Sequence, residues 1–302
     1  MTLCCLWVAW ITGSGCLVRR YALNQFADTV AGGGTTFASE PDPDLARAAT
    51  PFSLKLVDGL LVENPRHQGL LCAAASGFTE YAFAFVQQDA DELEARDLGA
   101  AEALRTRAWR LYLRGRDYGL RGLEVSHPGF TNALMANPRT AVRAATKADV
   151  PLLYWTASAW GAAISLLKDH AELVAQIPVM EALMDRALEL DESYHEGAIH
   201  TFLVTYEMSR RGASGNAAAR ARSHFERAMA LSGGTEAAPL VALAEAVAVK
   251  EQNLKEFESL LNRALAINAD AKPESRLGNL IMQRRARWLL SRKAELFLID
   301  KE

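Results

Sequence analysis

The histidines near the middle of the chain have the residue types of a metal site. The stretch HEGAIH places His195, Glu196 and His200 in the order of a zinc-protease motif. That chemistry needs two histidines at i and i+4 on one helical face, with the glutamate as general base. His200 stands at i+5, about 140° around a helix from His195. The spacing therefore does not support a metal site, and we expect His195 to cap or pack at the start of a helix.

Other motifs that carry catalysis are incomplete or absent from the sequence. The glycine run AGGGTT (31–36) lacks the Lys-Ser/Thr ending of a phosphate loop and follows a predicted helix rather than a strand. There is no G-x-S-x-G motif for a serine nucleophile. A hydrolase within the helical body would need a nucleophile–base pair, which we cannot assemble from these residues. The sequence predicts no enzyme, no catalytic residue, no metal site and no cofactor.

Charge argues against nucleic acid as a partner. The chain has a net charge of −3 and a pI of about 6.1. The basic stretch QRRARWLLSRK (283–293) contains Trp288, but Leu289 and Leu290 give it an apolar face. This pattern is typical of an amphipathic last helix with one solvated side. We predict no nucleic-acid partner.

The cysteines are concentrated at the N-terminus, where Cys4, Cys5 and Cys16 precede the single later Cys72. An apolar run of nine residues, Leu3 to Ile11, would reach only ~14 Å as a helix, under half of a ~30 Å hydrocarbon core. Such a run suits the apolar region of a signal peptide. The alternative is a buried N-terminal helix of a cytoplasmic protein.

Small residues follow this run and end at Gly15-Cys16, which resembles a bacterial lipoprotein signal. This predicts a lipoprotein-type signal peptide over 1–15, lipidation of Cys16 and a single domain over 16–302. Removal of the leader would leave Cys72 without an unmodified cysteine partner, so no intrachain disulfide is expected.

The body of the chain is predicted to be all-α. Ala, Leu, Arg and Glu dominate, and no segment sustains the two-residue alternation of a strand. Asp42 and Pro43 have the residue types of a helix N-cap and first helical position. We predict helices over 17–31, from 43 onward, and over 51–65, 67–88, 97–125 and 150–167.

Three related heptapeptides indicate an internal repeat. MDRALEL (184–190), FERAMAL (225–231) and LNRALAI (261–267) share an Arg-Ala pair, and successive arginines are 41 and then 36 positions apart. Around the second copy, the residues Ala221, Phe225 and Ala228 are spaced i, i+4 and i+7. This spacing matches the second-helix pattern of a tetratricopeptide repeat. Periods of this length with paired helices predict a TPR-like array of stacked helical hairpins.

Two aromatic segments are the candidates for a ligand cavity. Eighteen uncharged residues follow Asp149, and this stretch contains Tyr154, Trp155 and Trp160 among many small residues. A membrane span is one interpretation, although about 20 predominantly apolar residues are needed. The small residues indicate either close helix packing or a hollow beside the helix.

The second aromatic segment, GFTEYAFAFV, places Phe78, Tyr81 and Phe85 on one helical face. For both segments the alternatives are core packing and a cavity, and the two helices could line one apolar cavity if they face each other.

Several stretches together resemble one family. They are AGGGTTFASEPDPDLARAATPFSLKLVDGLLVENPRHQGLLCAAASGFTEYAFAFVQQDAD, LYLRGRDYGLRGLE, DVPLLYWTASAWGAAISLLKD and ARSHFERAMALSGG. They are similar to the T component of tripartite ATP-independent periplasmic (TRAP) transporters, the TatT family, from about Cys16 to the end. The resemblance implies a bacterial periplasmic lipoprotein of TPR-like hairpins, lipid-anchored through Cys16. It also implies pairing with the solute-binding P subunit, homo-oligomers with a trimer favoured, and apolar cavities.

Two functional hypotheses follow. In the first, the protein binds the P subunit and relays a hydrophobic or organic-acid ligand through an apolar cavity. In the second, it is a TPR-like envelope scaffold for protein–protein interaction with no solute contact. A concave repeat surface serves either role.

Overall fold

The computed structural model describes residues 25, 27–32, 34–168 and 170–298 of the 302-residue chain. Within these ranges the secondary structure is helical and contains no strand, which confirms the all-α prediction. The predicted helix over 17–31 falls partly outside the described residues, and its described end stops at Ala31, before Gly32. The signal peptide and Cys16 lie outside the described residues.

The first long helix, α1, spans Pro43–Glu63. Its start is as predicted, because the Asp42 side chain accepts hydrogen bonds from the backbone N–H groups of Asp44 and Leu45. The prediction of a separate helix beginning at Pro51 is wrong, since α1 continues through this residue. A proline inside a helix costs about 3 kcal/mol. Burial of the apolar residues on the side of α1 that packs against the next helix opposes this cost.

The helices α2 and α3 form the centre of the molecule. Helix α2 spans Gln68–Leu93 and includes a π-helical segment over Ala82–Gln87, so it continues past the predicted end at residue 88. His67 caps α2 by accepting a hydrogen bond at Nδ1 from the Leu70 N–H, 3.1 Å away. Helix α3 spans Leu98–Ser126 and is capped by Asp97, close to the predicted bounds.

The remaining long helices follow in order: α4 (Val150–Leu166), α5 (Ile177–Leu190), α6 (Ala198–Tyr206), α7 (Ala217–Leu231), α8 (Ala238–Ala248), α9 (Leu254–Leu265) and α10 (Arg276–Ser291). Short helices cover Gly34–Ala38, Phe130–Ala136, Pro138–Ala141, Ala171–Val174 and Lys293–Leu296, and a 3₁₀ turn covers Tyr194–Gly197.

Consecutive helices pack in pairs. The pairs are α2 with α3, α4 with α5, α6 with α7 and α8 with α9. The first helices of these pairs also make contacts between pairs: α2 contacts α4, α6 contacts α8, and α8 contacts α10. The three copies of the repeat lie at the ends of α5, α7 and α9, the second helices of three successive pairs. Ala221 and Ala228 are fully buried on α7. Assignment of these pairs to the tetratricopeptide class stays a prediction.

One described helix, α2, has the length and apolar composition needed to cross a bilayer. Leu70, Leu71 and Ala74 on this helix are nevertheless fully buried inside the fold, where α2 lies against α1, α3 and α4. The segment 150–167, for which a membrane span was one interpretation, forms α4 and packs against α2, α3 and α5. Both helices therefore occupy the core of the described fold.

Close packing of α3 depends on glycines. A Cβ added at Gly115 would lie 2.6 Å from the Thr79 Oγ1 of α2 and 3.5 Å from the Ala159 Cβ of α4. A Cβ added at Gly119 would lie 2.0 Å from the Thr156 Oγ1 of α4. The small Ala159 of α4 thus serves close helix approach, which was one of the two interpretations of that segment.

The last long helix, α10, contacts the first elements of the described structure. The Arg276 side chain donates to the Ser39 carbonyl oxygen at 2.8 Å. Arg284 lies 2.7 Å from a carboxylate oxygen of Asp89 and 2.7 Å from one of Glu92. These contacts join positions about 190 to 240 residues apart. The paired helices therefore form a closed arrangement in which the end of the described chain meets its beginning.

Candidate ligand recess

The three aromatic candidates of α2 are buried in the core. Phe78, Tyr81 and Phe85 are 3%, 8% and 6% exposed. An arginine guanidinium lies over each ring, at 4.3 Å (Arg114), 5.8 Å (Arg107) and 5.1 Å (Arg47) respectively. These rings contribute to packing and cation–π contacts between α1, α2 and α3.

Phe85 also lines a groove between α1 and α10. The groove has a volume of about 240 Å³, and Arg47, Ile281 and Arg284 are among its other lining residues. Charged side chains line much of it, so it is poorly suited to an apolar solute.

Trp160 of α4 is fully buried. Its Nε1 donates a hydrogen bond to the Gln176 Oε1 at 2.9 Å, and the Arg116 guanidinium lies 5.1 Å from the ring centre. A buried tryptophan whose N–H is satisfied is a packing residue. Trp160 thus differs from the other two aromatic candidates of α4, Tyr154 and Trp155, which are partly exposed.

Tyr154 and Trp155 are only half-buried, and they belong to an aromatic cluster. The ring centres of Tyr154 and Trp155 are 4.9 Å apart in an edge-to-face arrangement. Tyr194 lies 5.3 Å from Tyr154, and His195 lies 4.5 Å from Tyr194. We call these four residues the aromatic cluster. It joins α4 to the turn that precedes α6.

Backbone strain accompanies this cluster. His195 and Glu196 have φ angles of 41° and 56°, in the left-handed region that non-glycine residues rarely adopt, and Gly197 follows at 91°. Lys272 forms an ion pair with Glu196 and helps to hold the turn. Residues kept in such conformations cluster at functional sites. His195 lies just before the start of α6, where its ring packs against that of Tyr194, and the N-cap position of α6 is occupied by Gly197.

A carboxylate lies beside the aromatic cluster. Glu80 of α2 is exposed to water, yet burial by the surrounding protein raises the pKa of its carboxyl to about 7. Burial, together with the charge of Glu80, raises the pKa of Tyr154 to about 12 and that of Cys72 to about 11. Cys72 and Tyr154 therefore lie near enough to Glu80 to interact with its charge. We call the site formed by Glu80, Cys72 and the aromatic cluster the Glu80 recess.

Sequence reasoning placed Tyr154 and Trp155 in a possible cavity but missed Glu80, Cys72 and Tyr194. A signal for Glu80 was available, because it is the only charged residue between His67 and Asp89. An acidic residue in an otherwise apolar helix is costly to bury unless it is paired or serves a function. Tyr194 carried no such signal, since a tyrosine in a polar turn is ordinary.

The second histidine of the HEGAIH stretch, His200, contacts another histidine and does not form part of a zinc site. His200 is buried on α6, and its Nδ1 lies 2.9 Å from the Nδ1 of His224 on α7. Its Nε2 lies 3.4 Å from a carboxylate oxygen of Glu192. In the part of the chain that the structure describes, no group of three or more metal-ligating side chains comes together.

Burial lowers the pKa of both His200 and His224, so we expect stability to depend on pH. In the unfolded chain histidine titrates near pH 6.5. The folded state binds these protons less readily, so its stability is full above about pH 6.5 and falls as the pH drops below that value. Urea unfolding at about pH 7.5 and about pH 5.5 should show a larger loss for the wild type than for His224→Gln. The exposed His170, changed to Gln, is the control and should leave the wild-type loss intact.

The fold and the site together define a class of protein, an all-α array of paired helices that carries a half-buried aromatic cluster. A family model described as TRAP transporter T-component matches residues 39–297, and the chain belongs to this family. The chain is also similar to an uncharacterised protein from Treponema pallidum (strain Nichols). The two are 29% identical over 314 aligned positions, which cover 98% of this chain and 97% of the relative. The family resemblance is thereby confirmed, and the family is a transporter component rather than an enzyme family.

Proposed function

We propose that the protein is a periplasmic, lipid-anchored component of a TRAP-type uptake system that binds the solute-binding P subunit and relays an apolar or organic-acid solute through the Glu80 recess. In this proposal Cys16 carries the lipid, and the protein acts as a homo-oligomer with a trimer favoured. Family membership supports a role in a TRAP system. Tethering at the membrane would raise the local concentration of the P subunit near the transporter.

One observation carries the solute part of this proposal. Of the six aromatic candidates, four are buried in the core, whereas Tyr154 and Trp155 are half-buried and Tyr154 interacts with the charge of the exposed Glu80. Ligand sites combine apolar and aromatic walls with a few convergent polar groups. The recess has this composition, and its turn carries the strained backbone of His195 and Glu196.

The test is to purify the full chain gently from bacterial membranes and identify what accompanies it by mass spectrometry. We expect both a solute-binding P subunit and a small molecule with the wild type, and the P subunit without the small molecule with Trp155→Ala. The buried Trp160, changed to Phe, is the matched control that should retain both. Cys16→Ala should move the protein from the membrane to the soluble fraction. Recovery of neither companion, or equal membrane association with and without Cys16, would contradict the proposal.

The scaffold hypothesis makes a different prediction for the same variants. A scaffold without solute contact should bind the P subunit and support uptake equally well with Trp155→Ala. A solute relay should lose uptake while it keeps the P subunit. Enlarging Ala159 is not a useful test, because this fully buried residue lies beside Gly115 and a large side chain there would separate α3 from α4.

A further inference from the structure

Helix α1 carries apolar side chains on the side that faces water as well as on the side that faces the core. Nine large apolar side chains are exposed in the part of the chain that the structure describes, and four of them lie on this one helix: Leu45, Phe52, Leu56 and Val62. Phe52 is 75% exposed and Val62 is 78% exposed. Soluble proteins rarely expose a contiguous apolar patch, and such a patch marks an interaction site.

Three of these side chains lie in one line along the helix. At about 3.6 residues per turn, Leu45, Phe52 and Leu56 fall within about 40° of one another around α1. Ala49 lies between the first two, so successive residues of the line are four, three and four positions apart, as in the seam between two packed helices. We call these four residues the α1 stripe. The residues of α1 that are buried in the core lie on the other side, and they are Ala46, Leu54, Val57, Leu60 and Leu61.

The charges around the α1 stripe are unsuited to a membrane surface. Helices that lie on anionic bilayers are rich in lysine and arginine on their polar face. Helix α1 has two cations, and both are engaged, since Lys55 lies 3.0 Å from Asp58 and Arg47 forms an ion pair with Asp89. Three acidic residues outnumber these two cations, so the helix has a net charge of −1. An anionic bilayer would therefore repel this helix.

The composition of the α1 stripe favours a second copy of this chain over a different protein. Interfaces between different proteins that meet transiently are about as polar as the rest of the surface, whereas interfaces between identical copies are more apolar. The α1 stripe contains no polar residue. Helices with this spacing of apolar residues associate in twos or threes, and one face on each copy is enough to close an oligomer around a rotation axis.

We propose that copies of this chain associate through the α1 stripe, with Phe52 at the centre of the contact. Association would remove the exposed apolar side chains from water, and an aromatic ring contributes the largest apolar area. The inference rests on the homo-oligomer of the proposed function, for which it supplies the interface.

The experiment measures the mass and the dissociation constant of the full chain in mild detergent by native mass spectrometry and analytical ultracentrifugation. We expect the wild type to be an oligomer. Phe52→Glu should raise its dissociation constant at least about tenfold, because an unpaired charge would be buried in the contact. Leu56→Glu should act in the same direction, whereas Phe52→Leu keeps the stripe apolar and should retain the oligomer.

Leu98→Glu is the matched control. It introduces the same charge at an apolar side chain of α3 that is 56% exposed and lies outside the stripe, so the oligomer should persist. Circular dichroism shows whether each variant is folded. We expect no change with Phe52→Glu, since the Phe52 side chain lies outside the core.

Contrary results separate the interface from the proposed function. If the oligomer survives both Phe52→Glu and Leu56→Glu, the copies meet elsewhere, and the inference is wrong while the proposed oligomer stands. Loss of the P subunit alone from these variants would assign the stripe to that subunit and overturn the inference. Binding of Cys16→Ala to phosphatidylglycerol vesicles that Phe52→Glu abolishes would assign it to the membrane instead. A monomeric wild type would contradict both the inference and the proposed oligomer, and a dimer that Phe52→Glu dissociates would support the interface but contradict the trimer.

Discussion

Replacing Gly119 with alanine is expected to destabilise the protein by about 2–3 kcal/mol, because overpacking a close helix contact costs this much. The added Cβ would lie 2.0 Å from the Thr156 Oγ1 and 3.3 Å from the Thr156 Cα, so backbone as well as side chain must move. Thr156 is fully buried, and its hydroxyl donates to the Leu152 carbonyl oxygen at 2.5 Å. Neither Gly119 nor Thr156 therefore has free space into which an added methyl group could move. Urea unfolding measures the effect.

Gly59→Ala is the matched control for this prediction. A Cβ at Gly59 on α1 would meet no atom within 4 Å, so only the helix propensity of alanine acts there, and stability should rise by about 1 kcal/mol. The same substitution thus has opposite signs at the two sites. Combining Gly119→Ala with Thr156→Ala should recover part of the loss, because the closest atom is removed and contacting sites are not additive. Equal effects at Gly59 and Gly119 would show that α3 and α4 are not packed as described.

Replacing Arg285 with methionine is expected to cost about 3 kcal/mol, since removing one partner of a buried ion pair leaves the other charge uncompensated. The Arg285 side chain is 11% exposed and lies 2.7 Å from an oxygen of Asp91. It also pairs with Glu245 of α8 and lies 4.4 Å from the ring centre of Trp288. This arginine therefore joins the last helix to both α2 and α8. Hydrogen exchange should show faster opening of α10 in the variant.

Arg292→Met is the control for this second prediction. Arg292 also lies near Trp288, at 5.0 Å, but its ion pair is with the exposed Glu295 on the adjacent turn. Surface pairs of this kind contribute about 0–1 kcal/mol, so this variant should unfold nearly like the wild type. If Arg285→Met and Arg292→Met lowered stability equally, stacking on Trp288 rather than the link to Asp91 would be the source of the effect.

The helix starts could be predicted because their signals are local. Asp42 and Asp97 cap helices from positions directly before them, and the backbone groups that they satisfy follow within three residues. Pro51 misled the prediction for the opposite reason. The cost of a proline is local, while the burial that outweighs it comes from α2, a separate helix. Helix bounds set by caps are thus readable from sequence, and those set by tertiary packing are not.

The candidate site was only partly accessible to sequence analysis. The aromatic segment of α4 was found from its composition, but composition could not separate the buried Trp160 from the half-buried Trp155. That difference depends on Gln176, which accepts the Trp160 N–H from sixteen residues away. Tyr194 joins the recess through a turn with positive φ angles, and no periodic pattern encodes such a turn. The spatial neighbours of a residue therefore decide its role here.

The contact between α10 and the first helices has a consequence for evolution and for folding. An open chain of helical pairs can lengthen or shorten by whole units, because each unit depends only on its neighbours. Here Arg284 and Arg285 meet acidic groups of α2, so inserting or deleting one pair would displace those arginines from Asp89 and Asp91. Copy number should accordingly be constant among relatives. The described domain should also unfold in one cooperative step instead of fraying from its ends.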